Sequence, residues 1–469
     1  MQLSPYGLLL ALLAAAPVAG VRAQAGGAAP VAALLPPLAD SRQALSEGVA
    51  LHDQQQYEQA IARYLAVLPG DTLYAVAQGE LAATYLAAKR PQEAADAARR
   101  ALALPTNDPQ PYAVLAAAEE ELKHPELAQA AYDAGLRRFP YYQLLWFNQA
   151  ATQQEAKQFD AAWRSVQRSL QLNPAHAGSH FLLANLAARQ GHTSHAMLSL
   201  LAYLFLVPDG PRSHDMLVSL EQQALRTAEL ADADRIPPFV ANDAFQELDL
   251  LLNSKVALRP EYVSKVKFDA ALVKQTQLLV EKFPSPGAAP ATDFWLRLYG
   301  PLVEALRQAD HLTTFTYLVL NSADDPKAAK WVKSNKSKVE KLYGSLTPAL
   351  LRLRDEQPVL RDGKTVHTKG WFDNDGHLKA LGEGTIVGEE QRFTGPWVFL
   401  TDVGALDEEG SLGPTSSAPA CGAATTPTAS WPARSATSTA SGKVRRASFT
   451  TTASRRWKPP SPATKPRAK

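Results

Sequence analysis

Four of the ten histidines stand in two close pairs, His176 with His180 and His192 with His195. Imidazoles three or four residues apart share one face of a helix, which is how paired histidines hold a metal ion. Their surroundings argue otherwise. His176 follows Asn173-Pro174 and His192 follows Gly191, so each pair begins in a turn, and no carboxylate supplies a His-Glu-x-x-His pattern. The expectation is turn and surface histidines and no bound metal. Asp373-Asn374-Asp375-Gly376 alternates oxygen donors ahead of a glycine as a calcium loop does, but no glutamate stands at the position that would close the shell, and Asp-Gly is a tight hairpin turn in its own right. Gly382-Glu383-Gly384-Thr385 lacks the Gly-Lys-Ser/Thr of a phosphate loop, and the chain has no Gly-x-Ser-x-Gly elbow. The sole cysteine, Cys421, has no partner for a disulfide. These residues support neither an enzyme nor a cofactor.

The elements that would carry such residues follow a beat of 34. Ala60, Ala94, Ala128, Ala162 and Ala196 stand at that interval, and Gly48, Ala82, Ala116, Ala150 and Ala184 precede them by twelve residues. Pro140, Pro174 and Pro208 follow the last three alanines by twelve. Small residues mark points where two helices cross closely, and a proline without an N–H ends the second helix of each pair. Leu81, Leu115, Leu183, Tyr64 and Tyr132 are the expected large core residues. Self-similarity of this period from residue 41 to 210 resembles five tetratricopeptide (TPR) repeats. The resemblance implies a mainly α fold, a TPR-type helical solenoid in which the first helix of each pair lines a concave face that receives a protein or peptide ligand. The family's groove positions fall on Gln110, Glu120, Phe147, Gln154, Phe181, Asn185 and Arg189, with Glu121 and Glu155 beside them. Aromatics among amides and carboxylates suit an extended peptide. The same two phenylalanines would serve equally as core residues under a neighbouring repeat, and the sequence leaves both readings open.

Outside the array the chain changes character. Residues 1–23 read as a signal peptide: Leu8 to Ala16 is apolar, and Val21-Arg22-Ala23 suits cleavage before Gln24. This predicts export to the periplasm, the cell envelope or the medium. Residues 24–40 form an Ala/Pro/Gly-rich lead-in. Residues 211–345 stay helical without the beat and read as degenerate hairpins capping the array, since a solenoid end must cover its apolar face. Their Lys-rich stretch, 327–341, reads as a solvated face.

Residues 346–411 turn to strands. Gly370-Trp371-Phe372 and Gly395-Pro396-Trp397 each open a unit of glycine, aromatic residues and a turn ending in glycine, with the tryptophans 26 apart. This resembles MORN repeats (membrane occupation and recognition nexus), β-hairpins stacked into a small antiparallel sheet, and would permit peripheral association with the envelope. Residues 412–469 hold ten Lys/Arg and no acid, in an Ala/Ser/Thr/Pro background. The tail reads either as a disordered basic extension or as a frameshifted segment, since, read one frame across, the codon boundaries of 421–429 and 447–453 permit two further Gly-terminated aromatic units. Without it, 38 basic residues face 46 acidic ones, a net of −8. An acidic body excludes nucleic acid as the natural partner. The sequence thus predicts a scaffold for protein–protein interaction, with an envelope glycan- or lipid-binding sheet as the alternative.

Overall fold

The computed structural model describes residues 39–104, 106–210, 212–225, 244–285, 293–308, 310–322, 325–361, 364–372, 378–382, 395–401 and 406–412. The signal-peptide and lead-in expectations (but for its last two residues), the hairpin turn at 373–376 and the tail after 412 lie outside them. Five helical hairpins come first: α1 (Ala39–Asp53) with α2 (Tyr57–Leu65), α3 (Tyr74–Ala87) with α4 (Pro91–Leu102), α5 (Gln110–Glu121) with α6 (Pro125–Arg138), α7 (Gln143–Glu155) with α8 (Phe159–Leu172), and α9 (Ala177–Arg189) with α10 (Thr193–Leu206).

Alanine favours the helical backbone, and Pro91 and Pro125 open their helices at the first position, where a missing N–H costs nothing. The hairpin turn is the same each time. Gln55, Lys89, Lys123, Lys157 and Gly191, each 34 apart, all have positive φ: 62°, 61°, 66° and 59° at the first four, and 83° at the glycine. The next residue's N–H reaches back five residues, as in Gln56 N to Leu51 O and His192 N to Ala187 O at 2.9 and 3.0 Å. This is the Schellman stop: a left-handed residue lets the backbone satisfy its own last carbonyls before the second helix starts. The small residues sit at the crossings as expected. Ala60, Ala94, Ala128, Ala162 and Ala196 have no exposure, and a Cβ on Gly48 would lie 2.5 Å from the Tyr64 ring. Pro140, Pro174 and Pro208 each stand two residues beyond the end of α6, α8 and α10.

The chain continues as α11 (Ser213–Leu225), α12 (Gln246–Asn253), α13 (Ala271–Lys282), α14 (Phe294–Leu306), α15 (His311–Asn321), α16 (Pro326–Ser334) and α17 (Lys336–Leu351). These helices form a continuous core with the fourth and fifth repeats. The reason lies in α10, whose Ser194 to Phe205 are all buried. A helix buried on every side needs cover on every side, and α11, α12 and α15 help supply it. The Lys-rich faces of α16 and α17 point to solvent.

Helix α17 runs six residues past the boundary expected at 345, and the strands begin only at Glu356. They form an antiparallel meander in sequence order: β1 (Glu356–Arg361), β2 (Lys364–Phe372), β3 (Leu378–Gly382), β4 (Gly395–Leu400) and β5 (Leu406–Leu412). Trp371 on β2 and Phe399 on β4 both pair with Ala380 on β3, and Trp371 and Trp397 pack on that alanine's face. Gly382 pairs with Trp397, and a Cβ there would collide with the indole. That close approach, not phosphate binding, explains the glycine. No helix among the described residues is long and apolar enough to cross a membrane.

Candidate functional site

The first helices α3, α5, α7 and α9 present equivalent positions one repeat apart. One column runs Gly79, Ala113, Phe147, Phe181, and a second runs Ala83, Ala117, Ala151, Asn185. Small residues in the early repeats and rings in the later ones give a surface that is shallow at one end and aromatic at the other.

Phe147 and Phe181 are both half-buried, intermediate between the groove and core readings the sequence leaves open. The Phe147 ring meets His176 edge-on, with centroids 4.7 Å apart, at the start of α9. The Phe181 ring lies 6.3 Å from Tyr203 of its own repeat. Each packs one side on the core and leaves the other accessible. Asn185 is half-buried and its side chain makes no hydrogen bond among the described residues. Gln154 Oε1 is shielded from solvent and has no hydrogen-bond partner either. Gln110 is exposed at the first position of α5 and uses its backbone N–H on Asp108 Oδ1.

Two of the expected groove residues are already engaged within the array. Glu120 accepts a hydrogen bond from Thr152 of the next repeat, and Arg189 lies over the Phe159 ring at 5.5 Å. Nearby Glu121 pairs with Lys89 at 3.2 Å. Such links recur at an offset of 32, as in His52 with Thr84 at 2.8 Å, so they tie one first helix to the next. Burial pushes the Glu80, Asp108 and Glu120 carboxyls above their ordinary range, and Glu80 is raised further by Asp108 and Asp53.

The aromatic alternative loses one of its two residues. Trp397 is 1% exposed, and Trp371 packs beside it. One of the two indoles offered for glycan or lipid is therefore core, because Gly382 opens a slot that draws the ring inward.

His176 and His192 lie in the turns before α9 and α10 as expected, whereas His180 and His195 are buried rather than at the surface. His176 caps α9, its Nδ1 accepting from the Ser179 N–H at 3.2 Å. His180 is fully buried between Tyr299 Oη at 2.8 Å and the Pro174 carbonyl at 2.7 Å. Burial pushes it down to about 4, so it is neutral. Neither is a surface histidine. His192 and His195, at the start of α10, do acquire a carboxylate: Asp249 comes from α12, and one ligand atom from each of the three residues lies within 4.8 Å of the others. Spacing along the chain gave no sign of it, because the acid stands 54 residues beyond His195. A second missed feature is Glu119, buried on α5 against Arg99 and His124. The continuous apolar run Leu200 to Leu206 at the end of α10 is the signal that an outer layer must dock there.

No protein-family model and no curated protein matches the sequence. Among solved structures, the chain is similar to YrrB, described as a TPR protein with an unusual peptide-binding site, at 18% identity and a TM-score of 0.30, over 38% of this chain and 90% of that one. It is similar also to TTC0263, a thermophilic TPR protein of Thermus thermophilus, at 20% identity and a TM-score of 0.34, over 40% of this chain and 100% of that one. The chain's own geometry is that of a TPR-type solenoid: 34-residue helical hairpins, a small residue at each crossing and one left-handed stop per turn.

Proposed function

We propose that this chain is an exported, non-enzymatic scaffold that binds an extended protein or peptide segment along the first-helix face of its third to fifth repeats. The observation that carries the reading is the presence on that face of two half-buried rings, Phe147 and Phe181, with the half-buried, unengaged amide of Asn185. A peptide needs apolar contacts for its side chains and hydrogen-bond partners for its backbone, and half-buried rings beside an amide suit both.

Residues 1–23 direct the protein out of the cytoplasm and place its partner at the envelope. The meander of β1 to β5 extends the scaffold as a MORN-like hairpin stack, a reading supported by the shared seat of Trp371 and Trp397 on Ala380. The tail after 412 belongs to a shifted reading frame, which resequencing of the gene checks directly.

Affinity capture from an envelope extract, followed by titration of the captured partner, tests the groove. Phe147→Ala with Asn185→Ala is expected to weaken binding at least tenfold, about 1.4 kcal/mol. Unchanged affinity would move the site off this face. N-terminal sequencing of the native protein is expected to return Gln24, and Met1 in a cytosolic fraction would reject export.

A further inference from the structure

We propose that His192, His195 and Asp249 form a binding site for a divalent transition metal of the zinc, cobalt and nickel class, joining the last repeat to the cap.

The residues come from two separate elements. His192 immediately precedes α10 and His195 lies in its first turn, with ring centroids 5.2 Å apart. Asp249 lies on α12. His195 is 5% exposed, its ring seated between Phe245 at 4.5 Å and Trp295 at 4.0 Å. The Nδ1 atoms of both histidines are shielded from solvent and have no hydrogen-bond partner. Buried polar atoms are seldom left unpaired, because each costs the loss of its hydration. Here two such atoms occur together, beside a carboxylate.

A purely structural role accounts for only part of this. Asp249 Oδ1 accepts the Ser194 N–H at 2.6 Å, and Thr193 donates to Asn253 at 2.8 Å, so α12 caps α10. Capping uses one carboxylate oxygen. The other, Oδ2, remains 3.8 Å from His192 Nδ1, beyond hydrogen-bond distance. One shared cation would engage all three groups at once. The Ser194 N–H then acts as the outer partner that fixes the carboxylate's orientation.

Two imidazoles and one carboxylate select zinc, cobalt or nickel over magnesium or calcium, which prefer all-oxygen shells. Metal–ligand bonds of about 2.0–2.2 Å put tetrahedral ligand atoms roughly 3.3 Å apart. The cluster, at 4.8 Å or less, must contract modestly. His192 stands outside the helix and is part-exposed, so its ring is the one able to move. Three protein ligands leave a position for water. The consequence is a clasp between α10 and α12, elements that chain connectivity alone leaves some 40 residues apart.

The test uses the untagged mature chain, stripped with chelator and titrated with Co²⁺ and then Zn²⁺. The expected result is one equivalent of cobalt with the intense visible bands of a tetrahedral site, displaced by one equivalent of zinc. His192→Gln changes a part-exposed residue, and Asp249→Asn retains an oxygen for the Ser194 N–H, so both variants should fold. Each is expected to remove the bands and to weaken zinc binding at least tenfold. His124→Gln, at an exposed histidine far along the chain, should bind as wild type does. The absence of a stoichiometric cobalt spectrum in the wild-type chain overturns the proposal, and so does zinc binding that survives in both folded variants.

Discussion

The first three repeats and the last two are built from the same hairpin but hold together differently. In the early repeats the core falls into small, alanine-dominated clusters around Tyr64, Leu81 and Tyr132. Neighbouring repeats are further joined by exposed pairs such as Arg90 with Glu58 and Lys89 with Glu121, both at 3.2 Å. Pairs of that kind contribute about 0–1 kcal/mol each. The fourth and fifth repeats share one core with seven following helices, rich in leucine and aromatic rings. Burying one such side chain is worth about 1.5–3 kcal/mol. The early repeats should therefore behave as a one-dimensional stack that frays from its free end, while the later ones unfold with the cap as a unit.

Phe205→Ala probes that unit most severely. The ring is fully buried, stacked on Tyr343 at 4.9 Å and close to Phe315 at 6.2 Å. Its removal is expected to cost about 3–5 kcal/mol in urea denaturation. Hydrogen exchange should rise across α10 to α17 and stay unchanged in α1 to α4. Uniform loss over the whole chain would erase the distinction between the two regions.

Acid should attack the same side of the molecule. His180 is held neutral, its value pushed from the ordinary 6.5 down to about 4. A depressed value means the unfolded chain binds the proton first. The stabilisation is complete above pH 6.5 and is lost as pH falls from there toward 4, amounting to roughly 3 kcal/mol. Melting temperature measured across that window should fall more steeply in wild type than in His180→Gln. Parallel curves would assign the acid sensitivity to other groups.

A milder effect is expected at the crossings. Ala128→Leu in the early stack and Ala162→Leu in the later core both force a larger side chain into a site with no exposure. Each should cost about 1–3 kcal/mol. The early variant should broaden the melt by detaching repeats, whereas the later one should shift it whole. Melts unchanged from wild type would mean that these are not contact points.

The smallest prediction concerns the turns. Lys123 and Lys157 adopt φ of 66° and 59°, a left-handed conformation that only glycine takes freely, as Gly191 does at 83°. Lys123→Gly and Lys157→Gly are expected to raise stability by about 0.5–1 kcal/mol, and Gly191→Ala to lower it by a similar amount. Thermal melts of the three variants check the sign.

By itself, the sequence determined the repeat. Small residues every 34 positions locate the crossings, prolines mark the helix ends, and the same local pattern repeated five times leaves one way to stack. These are short-range decisions, made within a hairpin or between neighbours. The tryptophan units likewise announced strands near 370 and 397, although α17 carries the helical region on to Leu351.

Tertiary structure alone decided everything that depends on where the aperiodic region docks. It pairs His180 with Tyr299 across 119 residues, lays Asp249 on the start of α10, and turns Trp397 into core over Gly382. It also fixes Phe147 and Phe181 as half-buried rather than free or enclosed. Only the assembled layers specify such contacts, because chain spacing carries no information about which distant helix will cover an apolar face.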